Sequence, residues 1–179
     1  MPDGQEKRCD QKYAAPFVQI VLEKNQQRDV FRELSQIKGI FEETHLADFL
    51  SHIGVSQAEK SKVLRLFQTC DSVLVNNLIE VLITNGREDF FYPILLDILK
   101  KIEKETNEFE VTIHSVEGLS EEQKARLIPV IEKKMNLKVR SIKENLDRSL
   151  IGGFAITANH KIIDTSIKRQ LKAVKEKLK

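Results

Sequence analysis

The sequence predicts a mainly α-helical chain in two parts, an N-terminal six-helix bundle followed by a small α+β domain. Three observations carry this. Only 7 Gly and 4 Pro interrupt 179 residues, and 31% of the side chains are charged, which favours helices. Apolar residues recur at helical spacing up to Glu105. From Thr106 the pattern changes to period two, with Phe109, Val111 and Ile113 alternating with polar residues.

Residues 1–11 read as a short polar tail. Tyr13–Lys24 is a helix that is apolar nearly all round, with Pro16 in the first turn, where proline is tolerated. Asp29–Glu43 puts Val30, Phe31, Leu34, Ile37, Ile40 and Phe41 on one face. Thr44 is placed to cap a short helix carrying Leu46, Phe49 and Leu50. Ser56 with Glu59 forms a capping box that opens the helix Gln57–Cys70. Asp71 or Ser72 caps Val73–Thr84, a second helix apolar all round, and Asn85–Gly86 ends it. Glu88–Glu105 is the sixth helix, with Phe90, Phe91, Ile94, Leu95, Ile98, Leu99 and Ile102 inward.

In the second part, residues 106–179, the strand around Val111 is followed by a capping box, Ser120 with Gln123, and a helix to about Met135. Val139 and Ile142 mark a second strand, and Asp147–Leu150 a turn. Ile151–Thr157 is expected as a third strand with Gly152–Gly153 inside it. Asn159–His160 forms a tight turn into Lys161–Ile163. Asp164 caps, and Ser166 opens, a basic amphipathic helix with Ile167, Leu171, Val174 and Leu178 on its apolar stripe.

Chemistry is hard to find in this sequence. The histidines, His45, His52, His114 and His160, form no ligand set, and Cys9 and Cys70 lie far apart. No nucleophile elbow or phosphate loop is present, so no catalytic, cofactor or metal residues are expected. Two spaced thiols read as free cysteines in a reducing compartment. The polar N-terminus lacks the apolar segment of a signal peptide, and no apolar run spans a bilayer. A cytosolic protein that reaches membranes only through a partner is expected. Residues 1–105 carry 14 Lys and Arg against 17 Asp and Glu, a net of −3. Residues 106–179 carry 15 against 10, a net of +5. This asymmetry points to different partners for the two parts. Without interleaved aromatics it does not support nucleic-acid binding.

The two all-apolar helices are the candidate binding elements. A helix greasy on every side is either central in a core or covered by another molecule. On the second reading a groove between them accepts an amphipathic helix of a partner, with Phe17, Val21, Leu78 and Leu82 as anchors.

The ordered set Asp147, Leu150, Ile151, Gly152, Gly153, Phe154 and Ile156, then Ile163, Asp164, Ser166, Ile167, Leu171 and Leu178, resembles the C-terminal signature of the delta subunit of F-type ATP synthases. The mitochondrial relative in that family is the oligomycin-sensitivity-conferring protein. Asn77-Leu78-Ile79, Val81-Leu82 and Asn85-Gly86-Arg87 resemble the family's fifth helix and its exit, and Tyr13-Ala14 the start of its first. Leu119-Ser120-Glu121-Glu122-Gln123 resembles the opening of its C-terminal helix. Two positions depart: Pro16 stands where many members carry another helix former, and His160 where a glycine or similar turn residue is common.

The resemblance implies a non-catalytic stator connector at the cytoplasmic face of the cell membrane, peripheral to it and not inserted. The N-terminal bundle would hold N-terminal helices of the alpha subunits of the catalytic head, with Tyr13, Phe17, Val21, Leu78 and Leu82 mapping to that surface. The C-terminal part would grip the b subunits of the peripheral stalk. The competing expectation is a cytosolic adaptor that binds an amphipathic helix of an unrelated partner.

Overall fold

The computed structural model describes residues 10–166 together with Arg169, Lys175 and Glu176. The chain divides into two compact units, Met1–Glu105 and Thr106–Lys179. The architecture is the one expected: six α-helices, then a four-stranded sheet with one helix, among the described residues.

In the first unit a π-helical turn, Asp10–Ala14, leads into α1, Ala15–Glu23. Ala14, Phe17, Val18 and Val21 are buried at helical spacing. The helix stops because Asn25 adopts φ +55°. Its N–H donates to Leu22 O and the N–H of Gln26 to Val21 O, so the last carbonyls are satisfied. α2, Gln27–Thr44, buries Val30, Leu34, Ile37 and Phe41. Thr44 is not a cap: its hydroxyl donates back to Ile40 O at 2.6 Å, and His45, left-handed at φ +54°, separates α2 from α3, Leu46–Ser51. α4, Gln57–Arg65, opens with the expected capping box, the hydroxyl of Ser56 accepting from the Glu59 N–H and the Glu59 carboxylate from the Ser56 N–H. It ends earlier than expected, in turns before Cys70.

α5, Val73–Thr84, has the expected bounds. Its cap is not its own side chain. The Ser72 N–H donates instead to the Glu33 carboxylate of α2, at 3.0 Å. At the other end Gly86, at φ +61°, lets the Gly86 and Arg87 N–H groups reach Ile83 O and Leu82 O. A 3₁₀ turn, Glu88–Phe90, precedes α6, Phe91–Thr106, which buries six apolar side chains from Phe91 to Ile102. Phe41 lies 5.4–5.5 Å from the rings of Phe67, Phe91 and Tyr92 at the centre of this core.

In the second unit β1, Glu108–Ser115, is joined through α7, Glu121–Met135, to a parallel β2, Lys138–Leu146. β3, Phe154–Ala158, and β4, Lys161–Asp164, add on antiparallel, giving the order β2-β1-β3-β4. A parallel neighbour requires a crossover, which α7 supplies. Val111, Ile113 and Ile156 bury against Ile131, Met135 and Leu137. The Ser120 capping box forms as expected, Ser120 Oγ accepting from the Gln123 N–H at 3.2 Å. Asn159 and His160 make the expected tight turn, both at positive φ.

The glycine pair lies outside the third strand rather than inside it, because β3 starts at Phe154. Gly153 is at φ +73°, a conformation no regular strand contains. The Asp164 cap is also corrected. Asp164 Oδ1 accepts from the Ser166 N–H at 2.9 Å, and Ser166 Oγ accepts from the Arg169 N–H at 3.3 Å, so Ser166 holds the capping position. The expected helix with Ile167, Leu171, Val174 and Leu178 lies outside the described residues.

Candidate docking surfaces

α1 and α5 carry few polar residues, Gln19 and Glu23 on one and Asn76, Asn77, Glu80 and Thr84 on the other, and the fold buries the side away from them. On α1 that side is Ala14, Phe17, Val18 and Val21. On α5 it is Leu74, Val75, Leu78, Ile79 and Leu82. Of the five residues expected to bind a partner, Phe17, Val21, Leu78 and Leu82 are therefore at most 8% exposed and fill the core. Tyr13 is half-buried against the same core, with the Lys12 ammonium 5.7 Å from its ring centroid.

A side chain already packed inside the free chain has little apolar area left to give to a partner. What α1 and α5 offer outward is Ile20, 43% exposed, and Val73 and Val81, 68% and 46% exposed. Val73, Asn77 and Val81 recur every fourth residue and so form one outward stripe along α5. The outward apolar residues stand beside the few polar ones, Gln19 and Glu23 on α1 and Asn77 and Thr84 on α5.

Among the described residues no three of His, Cys, Asp and Glu stand where they could hold a metal ion. His52 Nδ1 accepts from the Gly54 N–H at 3.0 Å, a local turn contact. The strongest charged group, Lys124, bridges Glu121 at 2.6 Å and Glu144 at 2.5 Å and ties α7 to β2. No helix of the described residues is long and apolar enough to cross a membrane.

Comparison with known proteins gives the decisive observation. The family model described as ATP synthase delta (OSCP) subunit matches residues 9–178. The chain belongs to that family. A delta subunit of ATP synthase from Streptococcus gordonii is 98% identical over 169 residues, covering 94% of this chain and 95% of the relative. Those of Streptococcus sanguinis and of Streptococcus pneumoniae strain Hungary19A-6 are 63% and 55% identical over the same shares. In fold the chain is similar to one in the cryo-EM structure of the Toxoplasma gondii mitochondrial ATP synthase hexamer. That likeness has a TM-score of 0.62 and 17% identity, and covers 94% of this chain and 96% of the other. Membership of the delta (OSCP) family makes this a structural subunit of an F-type ATP synthase complex, serving ATP synthesis and ion transport.

Proposed function

We propose that this delta-family subunit is the stator connector of its complex and performs no chemistry of its own. The first unit holds N-terminal helices of the alpha subunits of the catalytic head. The second grips the b subunits of the peripheral stalk, at the cytoplasmic face of the membrane. The head is thereby kept from turning with the proton-driven rotor, and torque becomes conformational work at nucleotide sites elsewhere.

The observation that carries this reading, beyond family membership, is the exposure of Val73 and Val81 on α5 and of Ile20 on α1. An amphipathic helix laid on such a surface would bury it, and a few buried apolar contacts dominate tight static association. Tyr13, half-buried, stands at the start of the same helix run. The positive balance of residues 106–179 suits a contact of different character from that of the acidic first part.

The test is a pull-down from detergent-solubilised membranes with the tagged full chain. Head and stalk subunits are expected to co-purify. Capture of neither overturns the stator reading, and capture of an unrelated helical protein would favour an adaptor. Ile20→Asp and Val81→Asp are expected to weaken binding of an alpha N-terminal peptide at least about tenfold, with the helical circular dichroism unchanged.

A further inference from the structure

A second feature of the first unit has no part in the proposed connection. Between α2 and the turn that precedes α5 lies an open depression of about 220 Å³, lined by Glu33, Ile37, Ile40, Phe67, Cys70 and Asp71 among others. Its volume is below the roughly 300–1,000 Å³ of sites that enclose drug-sized ligands. It has room for one long side chain rather than for a cofactor.

The charge in this depression is out of balance. Glu33 is 7% exposed, and its carboxylate accepts from the Ser72 N–H, at 3.0 and 3.3 Å, and is hydrogen-bonded to the Cys70 thiol, both neutral partners. No Lys or Arg among the described residues forms an ion pair with it. Buried carboxylates are ordinarily paired, since an isolated one is costly to desolvate. Of the other buried charges of this unit, Lys60 has an ionic partner, whereas Glu88, like Glu33, has neutral donors. Lys60 meets Asp89 at 2.6 Å, and Glu88 accepts from the Ser61 hydroxyl and the Gln57 amide.

Ser72 Oγ and Asn76 Oδ1 at the same turn are buried without a hydrogen-bond partner. The Cys70 thiol is pushed above its ordinary range, first by burial and then by the charge and hydrogen bond of Glu33, with Asp71 adding to it. Beside these acids Ile40 is 43% exposed and Phe67 half-buried, an apolar shelf next to an anionic hole.

We infer that this depression is a docking site for a basic amphipathic helical segment of a partner protein, which sets a lysine ammonium against Glu33 and Asp71 and lays its apolar side on Ile40 and Phe67. Lysine fits because it is a donor-only group on a flexible apolar stem. The acidic balance of residues 1–105 favours the approach of such a segment. This site is separate from the surface of Ile20 and Val81.

The experiment titrates the isotope-labelled full chain with a synthetic amphipathic Leu/Lys peptide of about 18 residues, long enough to form a helix on binding. A second peptide has Glu in place of every Lys. The Lys peptide is expected to shift the amide resonances of Gln36, Ile40, Thr69, Cys70 and Asp71, and more weakly as salt is raised. The Glu peptide is expected to leave them in place. Glu33→Gln keeps an acceptor for the Ser72 N–H while removing the charge, and is expected to weaken the Lys peptide about tenfold. Asp71→Asn and Ile40→Ser, at exposed positions, are expected to weaken it as well, so the test stands even where Glu33→Gln perturbs folding. Equal binding of both peptides, unchanged binding to the Asp71 and Ile40 variants, or no shift at these amides overturns the inference. Shifts confined to Ile20 and Val81 also overturn it, and they leave the proposed function intact.

Discussion

Gly153 leaves no room for a side chain. A Cβ there would lie 2.8 Å from Thr165 O and 3.1 Å from Ser166 Cα, both backbone atoms, on a residue already at φ +73°. Thr165 is itself fixed, its N–H and its hydroxyl both donating to Phe154 O at 3.0 and 2.8 Å. Gly153→Ala is therefore expected to destabilise by about 2 kcal/mol or more, read as a lowered midpoint in urea unfolding of the full chain. A neutral result would mean that the strand end moves aside at no cost. The Lys124 bridge gives a pH signature. Its hydrogen bond to Glu144 holds that carboxyl below its ordinary 4.5, and its bonds to Glu121 and Glu144 hold the ammonium above its ordinary 10.5. A lowered acid pKa contributes stability above the ordinary value and loses it as pH falls through the depressed one. A raised Lys pKa contributes below the ordinary value and loses it as pH rises through the raised one. Thermal melts of Glu144→Gln should thus differ from the parent by a constant small amount at neutral pH, and the difference should close as acid protonates Glu144. A difference undiminished in strong acid would show that the bridge does not titrate as described.

At the scale of the helix, the two sides of α5 are expected to respond oppositely to the same change. Leu82 is fully buried and Val81 is 46% exposed, one residue apart. Leu82→Asp puts an unpaired charge into the core and removes its apolar packing, at a cost of more than about 4 kcal/mol. That is a large part of the roughly 5–15 kcal/mol that holds a domain together, so the first unit should unfold or come close to it. Val81→Asp should stay within about 1 kcal/mol. Circular dichroism melts of the two variants decide the matter. Equal stability would mean that α5 is turned about its axis from the orientation described. Much of α5 was legible in advance: its bounds, and its exit at Asn85–Gly86. Its face was less so, because its polar residues, Asn76, Asn77, Glu80 and Thr84, are few and Val73 and Val81 stand beside them. α2, with Arg28, Asp29, Arg32, Gln36 and Glu43 outward, shows its core face plainly, although Ile40, expected on that face, is 43% exposed.

For the molecule as a whole, each unit has its own closed core, one built on Phe41, Phe91 and the helices around them, the other on Val111, Ile113 and α7. A core that closes on itself supports independent folding. A fragment ending at Glu105 is expected to unfold cooperatively and to keep whatever binding the α1 and α5 surfaces provide. A fragment that is unfolded until residues beyond Thr106 are restored would place the boundary elsewhere.

By itself the sequence determined the helical first part, the change of period at Thr106, both capping boxes, the turn at Asn159–His160 and, through ordered motifs, the family. These are local features, fixed by side chains a few residues apart. Only the tertiary structure decided that Phe17, Val21, Leu78 and Leu82 are core and that Ile20, Val73 and Val81 face outward. It alone showed that Gly152–Gly153 precedes its strand because Thr165 passes close by. It alone brought Glu33 across to cap α5, 39 positions on. Each of these rests on a contact between residues far apart in the chain, which no local pattern encodes.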